Sequence, residues 1–173
     1  MTQSNPLRLI LTRHAKSSWD IPAQEDHERS LNPRGYRAAK RIGNWISARG
    51  FCPEVVLCST ARRARETWDG IAASCGDLPD CDVSYLDRLY VAPAEAMLET
   101  IRKSNGSSLL LVAHNPGIAH LASLLAVSPS EHPRFNDYPS GATTVYQFEI
   151  ARWQDLRPYS GRISDFVIPR ELR

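Results

Sequence analysis

The sequence predicts an α/β fold: a three-layer αβα sandwich with a mainly parallel central sheet. Three observations carry this reading. Short apolar runs alternate with stretches whose apolar residues recur at helical spacing, the pattern of consecutive βα units. Leu7–Thr12, Glu54–Cys58 and Ser107–Ala113 read as strands because they are short and apolar and lie beside turn-forming residues. The chain has 173 residues, 42% hydrophobic and 23% charged, which is the size and composition of one globular domain, residues 1–173, with a sizeable core.

Each element has a local reason. Leu7–Thr12 gives the first strand, read as buried. Ala15–Ser30 is polar and irregular, holds Trp19 and Pro22, and reads as a loop lying over the strand ends. Pro33 opens the first helix, with Asn32 as its N-cap. Ala38, Ala39, Ile42, Trp45 and Ile46 form its apolar face, and Gly50 ends it. After the strand Glu54–Cys58, Ser59 or Thr60 caps a second helix whose buried stripe is Ala64, Trp68, Ile71 and Ala72. Asp77–Asp82 is a turn and Val83–Leu86 a short edge strand. Pro93 opens a third helix through Ile101, with Met97, Leu98 and Ile101 inward. Asn105-Gly106 turns the chain into Ser107–Ala113. Pro116 starts a fourth helix, apolar at Ile118, Leu121, Leu124 and Leu125. A loop over Ser128–Tyr138 precedes the strands Ala142–Ile150 and Arg162–Val167.

Three of these strands deliver polar residues at the same end. The first runs into Arg13-His14, the second into Ser59, Arg62 and Arg63, and the third into His114-Asn115-Pro116-Gly117. Ligands of open α/β sheets bind at the carboxyl ends of strands, so parallel neighbours would gather these side chains into one basic pocket. A guanidinium offers a rigid fork of donors that matches phosphate. A neutral imidazole offers a nucleophilic nitrogen or a proton relay.

Arg13-His14-Ala15 resembles the Arg-His-Gly/Ala signature of the histidine phosphatase superfamily. Ser59-x-x-x-Arg63-Ala64-x-x-Thr67 is similar to its second motif and Val112-Ala113-His114 to its third. Leu31-x-x-x-Gly35 with Ala38-Ala39 matches its usual turn into the first helix. The stretch Arg13–Trp19 and the compact length resemble the SixA-like phosphohistidine phosphatase branch, and the likeness runs from Leu7 to Ala126. It implies a phosphoglycerate-mutase-like sandwich and a metal-independent, cofactor-independent phosphatase. That enzyme would hydrolyse phosphohistidine through a covalent intermediate on His14. Its partner would be a phosphorylated substrate, with a phosphohistidine protein among the candidates. Two other readings stand beside it. One is a phosphatase or mutase acting on small phosphate esters, although the compact chain leaves little room for a lid that would retain an intermediate. The other is a non-catalytic phosphate-binding module, which would be expected to have lost one of the pocket's His or Arg residues.

By the same resemblance His14 takes up the phosphoryl group, Arg13 binds its oxygens, and His114 is a second phosphate ligand. Nearby arginines favour the neutral imidazole at His14, because a further positive charge is costly there. Arg62 and Arg63 are neighbours on a helix and diverge by about 100°, so one of them faces the pocket. The family motif places its arginine before Ala, which selects Arg63 and leaves Arg62 to pair with Glu66. Ser17 is a further substrate-binding candidate, and Lys16 adds charge at the rim. Asp87 is the one tempting carboxylate for a general acid. Asp20 stands where mutase-type relatives often carry a phosphate-contacting Asn. His27, His120 and His132 have no motif around them.

A formal net charge of +2 is too small to argue for nucleic acid or a membrane surface, and neither is expected as partner. No apolar stretch reaches the length of a membrane span, and Met1–Pro6 lacks the basic start of a signal peptide, so the cytoplasm is the expected location. Cys52, Cys58, Cys75 and Cys81 form no Cys-x-x-Cys pair and show no zinc spacing, so no metal is expected. Their even number allows disulfides, and Cys58 reads as a core residue. Nothing in the sequence specifies an oligomeric state.

Overall fold

Leu7, Leu9, Ile10 and Leu11 are all buried, although successive strand residues point to opposite faces of a sheet. Such a strand belongs inside a sheet covered by helices on both sides. The computed structural model, which describes residues 5–76, 78 and 80–173, has that arrangement. In chain order the elements are β1 (Leu7–Arg13), α1 (Pro33–Ala48), β2 (Val55–Ser59), α2 (Arg62–Ala72), β3 (Asp82–Leu86), α3 (Ala94–Arg102), β4 (Ser108–Ala113), α4 (Gly117–Leu125), β5 (Thr143–Phe148) and β6 (Arg162–Val167). The strands form one six-stranded sheet in the order β3-β2-β4-β1-β5-β6. β3, β2, β4 and β1 run parallel, and β5 is antiparallel to both β1 and β6.

Alternation along each strand divides the core. Ile10, Val56, Leu110, Val112 and Val145 face Ile42 and Ile46 of α1 and Ala64, Trp68 and Ile71 of α2. Leu9, Leu11, Leu109, Leu111, Tyr146 and Phe148 face Met97 and Ile101 of α3 and Ile118, Leu121 and Leu125 of α4. The layers are therefore helices, sheet, helices, as the strand and helix alternation predicts.

Details depart from the sequence reading where tertiary contacts override local signals. Neither Ser59 nor Thr60 caps α2. Ala61 is the residue before the helix and offers no side-chain bond, while Ser59 closes β2. The loop over residues 15–30 contains a short 3-10 turn at Asp26–Glu28. The turn expected over Asp77–Asp82 includes two positions, 77 and 79, outside the described residues. β5 is shorter than the expected Ala142–Ile150. Cys52 and Cys75 form a disulfide that ties the segment after α1 to the end of α2, while Cys58 is buried and free. Among the described residues no helix is long and apolar enough to cross a membrane.

Two glycines let backbone pass backbone where the strand ends open. Asn32 caps α1 by accepting from the Gly35 amide at 2.9 Å. A Cβ on Gly35 would stand 2.1 Å from the Lys16 carbonyl oxygen, in the loop that follows His14. A Cβ on Gly117, at the start of α4, would stand 1.9 Å from the Ala92 carbonyl oxygen. Both obstacles are main chain and cannot swing aside. Gly35→Ala and Gly117→Ala should each destabilise the protein by about 1–3 kcal/mol, the usual scale of overpacking. Chemical denaturation checks this. Unchanged midpoints would show that these segments shift freely.

Candidate active site

The register of the parallel strands decides which side chains meet. Arg13 pairs with Ala113 across β1 and β4, and Cys58 pairs with Val112 across β2 and β4. His14, His114 and Ser59 therefore stand at the same end of three adjacent strands. The His14 amide donates to the Ala113 carbonyl at 3.0 Å, and the two imidazole centroids lie 5.1 Å apart.

His14 is buried, and its Nδ1 lies 2.7 Å from the Ala15 carbonyl oxygen. A carbonyl only accepts, so Nδ1 carries the proton and Nε2 presents its lone pair. Burial, then His114, Arg63 and Arg13, hold the imidazole pKa well below its ordinary value, so the ring is neutral near neutral pH. His114 is also buried, and its Nε2 lies 2.7 Å from Ser59 Oγ. Its Nδ1 lies 3.4 Å from Arg63 Nη2, which can only donate, so the His114 proton sits on Nε2 toward the serine. Burial and the Arg63 charge pull its pKa down to about 3.

Arg63 is 5% exposed and its Nε lies 3.4 Å from His14 Nε2. Arg62 is exposed and pairs with Glu66 at 2.9 Å, so the helix phase separates the two as the motif implied. Thr67, one turn further on α2, accepts from the Ala15 amide at 2.9 Å and donates to the Arg63 carbonyl at 2.7 Å. That hydroxyl locks the exit of β1 to α2. Arg13 donates to the Tyr138 carbonyl at 3.1 Å, and its Nε is buried with no hydrogen-bond partner in the protein. Tyr138 has φ +47°, an uncommon conformation for a non-glycine residue, held by its hydroxyl on the Leu11 carbonyl at 2.9 Å and on Thr144 at 2.8 Å.

Arg13, His14, Lys16, Ser17, Trp19, Arg29, Arg63 and Ser140 line a cavity of about 230 Å³. The sequence reading missed Arg29. It is buried, bonds Ser17 Oγ, donates to the Ser18 carbonyl at 3.0 Å and stacks over Trp19 at 3.3 Å. Asp26 was missed as well. Its Oδ1 accepts from Arg29 at 2.8 Å, while Oδ2 and the main-chain carbonyl accept from Arg63 at 3.0 and 2.7 Å. Tyr90 donates to the same Oδ2 at 2.5 Å and sets its ring edge-on to His114. These bonds, the Tyr90 one first, hold the Asp26 carboxyl well below the ordinary carboxylate range. The one signal for this pair was the Asp26/Arg29 spacing of three in an otherwise aperiodic loop.

Asp87 is not placed as expected. It is exposed, lines no part of the cavity, and accepts from Thr60 Oγ1 at 2.7 Å, which in turn meets His27 Nε2 at 2.9 Å. Asp20 is exposed, and its amide, not its carboxylate, makes the local bond, to Ser18 Oγ. Among the described residues no three His, Cys, Asp or Glu side chains converge as metal ligands would. The arrangement can present a neutral imidazole nitrogen to an anion held by three guanidinium groups.

The histidine phosphatase superfamily (branch 1) pattern matches residues 9–90 of this chain. An uncharacterized protein of Mycobacterium tuberculosis is 34% identical over 165 residues, spanning 91% of this chain and 99% of its own length. The structure from Nakamurella multipartita assigned as the phosphohistidine phosphatase SixA superposes with a TM-score of 0.79 and 28% identity, covering 97% of this chain and 99% of its own. Its counterpart from Agrobacterium tumefaciens, also assigned as SixA, gives 0.76 and 27%, covering 96% and 100%.

Removing Arg63 takes away a preorganised donor, so Arg63→Ala should lower turnover by about 10²–10³, while Arg62→Ala changes it little. Steady-state rates on an acyl or aryl phosphate rank the two, and the reverse order would refute the placement. Lowered imidazole pKa values keep both rings neutral as pH falls. The acid limb of kcat/KM should therefore lie at lower pH than the titration of an ordinary imidazole, after correction for substrate ionisation. In Arg63→Gln, one cause of the lowering at His14 and His114 is gone, so the limb should move to higher pH.

Proposed function

The chain belongs to the histidine phosphatase superfamily, in its SixA-like branch, and on that premise we propose that it hydrolyses phosphohistidine carried by proteins, through a covalent phosphohistidine on His14. One observation carries the reading. His14 Nε2, deprotonated because Nδ1–H is spent on the Ala15 carbonyl, sits within the arginine-lined cavity beside Arg63.

The lone pair of Nε2 attacks phosphorus. A new N–P bond forms as the bond to the leaving nitrogen breaks and its electron pair returns to that imidazole. Arg13, Arg29 and Arg63 neutralise the equatorial oxygens and hold them in line. His114, fixed by Ser59, lies behind His14 on the β4 side, its ring 5.1 Å away, and meets Arg63. Water then attacks the phosphorus on His14, the N–P bond breaks, and its electron pair returns to Nε2. The water proton leaves with phosphate or solvent.

Substrate class follows from the carboxylates. An alkoxide leaving group needs a proton in the transition state, whereas phosphoimidazole departs as neutral imidazole with its second nitrogen already protonated. Asp26, the carboxylate that touches the arginines, is held ionised by them and by Tyr90, and Asp87 lies off the cavity. This favours a phosphoramidate over a simple alkyl phosphate. It also disfavours the small-ester phosphatase or mutase.

The test compares kcat/KM for a phosphohistidine peptide with a panel of small phosphate esters. The phosphohistidine peptide should lead the panel. His14→Ala should abolish turnover with an unchanged circular dichroism spectrum, and alkaline rapid quench of the wild type should trap acid-labile phosphate on His14. A clear preference for one alkyl phosphate, lost in Asp87→Asn, would overturn the reading and make Asp87 the acid of a small-molecule phosphatase.

A further inference from the structure

Next to the small cavity lies a larger groove of about 580 Å³, which shares Lys16 and Ser140 with it. Its charged lining is wholly basic: Lys16, Arg34, Arg37, Arg41, Arg134 and Arg170. Arg34, Arg37 and Arg41 follow one another at spacings of three and four on α1, so they form one stripe, about 10 Å long at 1.5 Å rise per residue. Among the described residues Arg134 alone of the six has a carboxylate partner, Asp137. The whole chain carries a formal net charge of only +2, so this crowding is local and not a consequence of a basic protein. Like charges on one wall repel, and a row of this kind, without carboxylates facing it, attracts an anionic partner.

The chemistry of the groove selects among anions. Arg34, Arg37, Arg41 and Arg170 are exposed, and no buried polar cradle surrounds any of them, so the groove is not shaped around a single phosphate. No Phe, Tyr or Trp lines it, so it has no platform on which a nucleobase could stack. It is concave, with Ala38, Pro139, Ile168 and Pro169 between the charges, unlike a face that lies flat on a lipid headgroup layer. A mixed floor of apolar and guanidinium groups suits a protein surface bearing Asp and Glu side chains.

We infer that this groove docks an acidic face of the phosphoprotein whose phosphoryl group enters the adjacent cavity. The inference rests on the proposed protein-phosphatase reading and extends it to the substrate surface beyond the phosphohistidine. Exposed ion pairs are individually weak, so the row acts mainly by steering encounter and orienting the partner. Its effect belongs in kcat/KM and in salt dependence.

The experiment uses the full chain and the triple variant Arg34→Gln/Arg37→Gln/Arg41→Gln, with Arg→Lys at the same positions as the charge-preserving control. Fluorescence anisotropy measures binding of three probes: a phosphate-free peptide rich in Asp and Glu, a single-stranded oligonucleotide of equal charge, and anionic phosphatidylglycerol vesicles. The acidic peptide should bind wild type at low salt and the Lys control nearly as well, and should bind the Gln variant at least tenfold more weakly. Turnover of free phosphohistidine should be the same in all three proteins. With an acidic phosphohistidine protein as substrate, kcat/KM should fall tenfold or more in the Gln variant and lose its salt dependence. Equal peptide binding by wild type and the Gln variant overturns the inference, and so does tighter binding of the oligonucleotide or the vesicles. Acidic-peptide binding that depends on the stripe, in a protein that turns over no phosphohistidine, would instead refute the proposed reaction and leave the docking surface standing.

Discussion

Three guanidinium groups line one small pocket, and the rest of the site is organised around that constraint. Arg13, Arg29 and Arg63 would repel one another in a low dielectric without compensation. The protein supplies it from the Asp26 carboxylate, which joins Arg29 to Arg63, and from the carbonyls of Asp26, Ser18 and Tyr138. One donor, Arg13 Nε, is left buried without a partner. A pocket satisfied on its outer side and unsatisfied within is preorganised for an incoming phosphoryl group, because its dipoles need not rearrange when the charge arrives.

Burial first, and then the same crowding, decides the state of the histidines. A positive imidazole beside these arginines would be costly, so both rings stay neutral, and their orientation comes from what each donates to. His14 gives its proton to a carbonyl of its own strand exit and His114 gives its proton to Ser59. Ser59 is held by the end of β2, and the β1 exit is held by Thr67 of α2. The nucleophile is thus aimed by the sheet and a helix rather than by the mobile side of a loop, which is how a reacting atom is kept within bonding range.

Much of the fold was legible because it is written in local pattern. The apolar runs of β1 and β4, the Asn32-Pro33 helix start and the stripe of α2 each reflect burial that any compact solution must provide. Likewise His14, Arg13, Arg63 and His114 stood out because each follows or faces the end of a strand. The second-helix cap was misjudged for a reason outside the local sequence. Ser59 ends β2, where its hydroxyl meets His114, 55 positions away, and accepts from the Ala61 amide, and the helix starts only at Arg62.

By itself the sequence determined the strand and helix order, the two-faced core and the set of residues at the strand ends, because periodicity and apolar runs report local burial directly. Only the tertiary structure decided the rest. Asp26 and Arg29 lie in an aperiodic loop, and their importance comes from Asp26 joining Arg29 to Arg63, 37 positions along the chain, and from Arg29 lining the same cavity as Arg63. Tyr90 joins them from beyond β3, and the Cys52–Cys75 bridge closes across α2. Asp87 failed as a pocket carboxylate because chain order cannot say which way a side chain turns. Which residues share a face is a matter of nearest-neighbour geometry. Which residues share a pocket depends on how the whole sheet is ordered, and no short window of sequence carries that information.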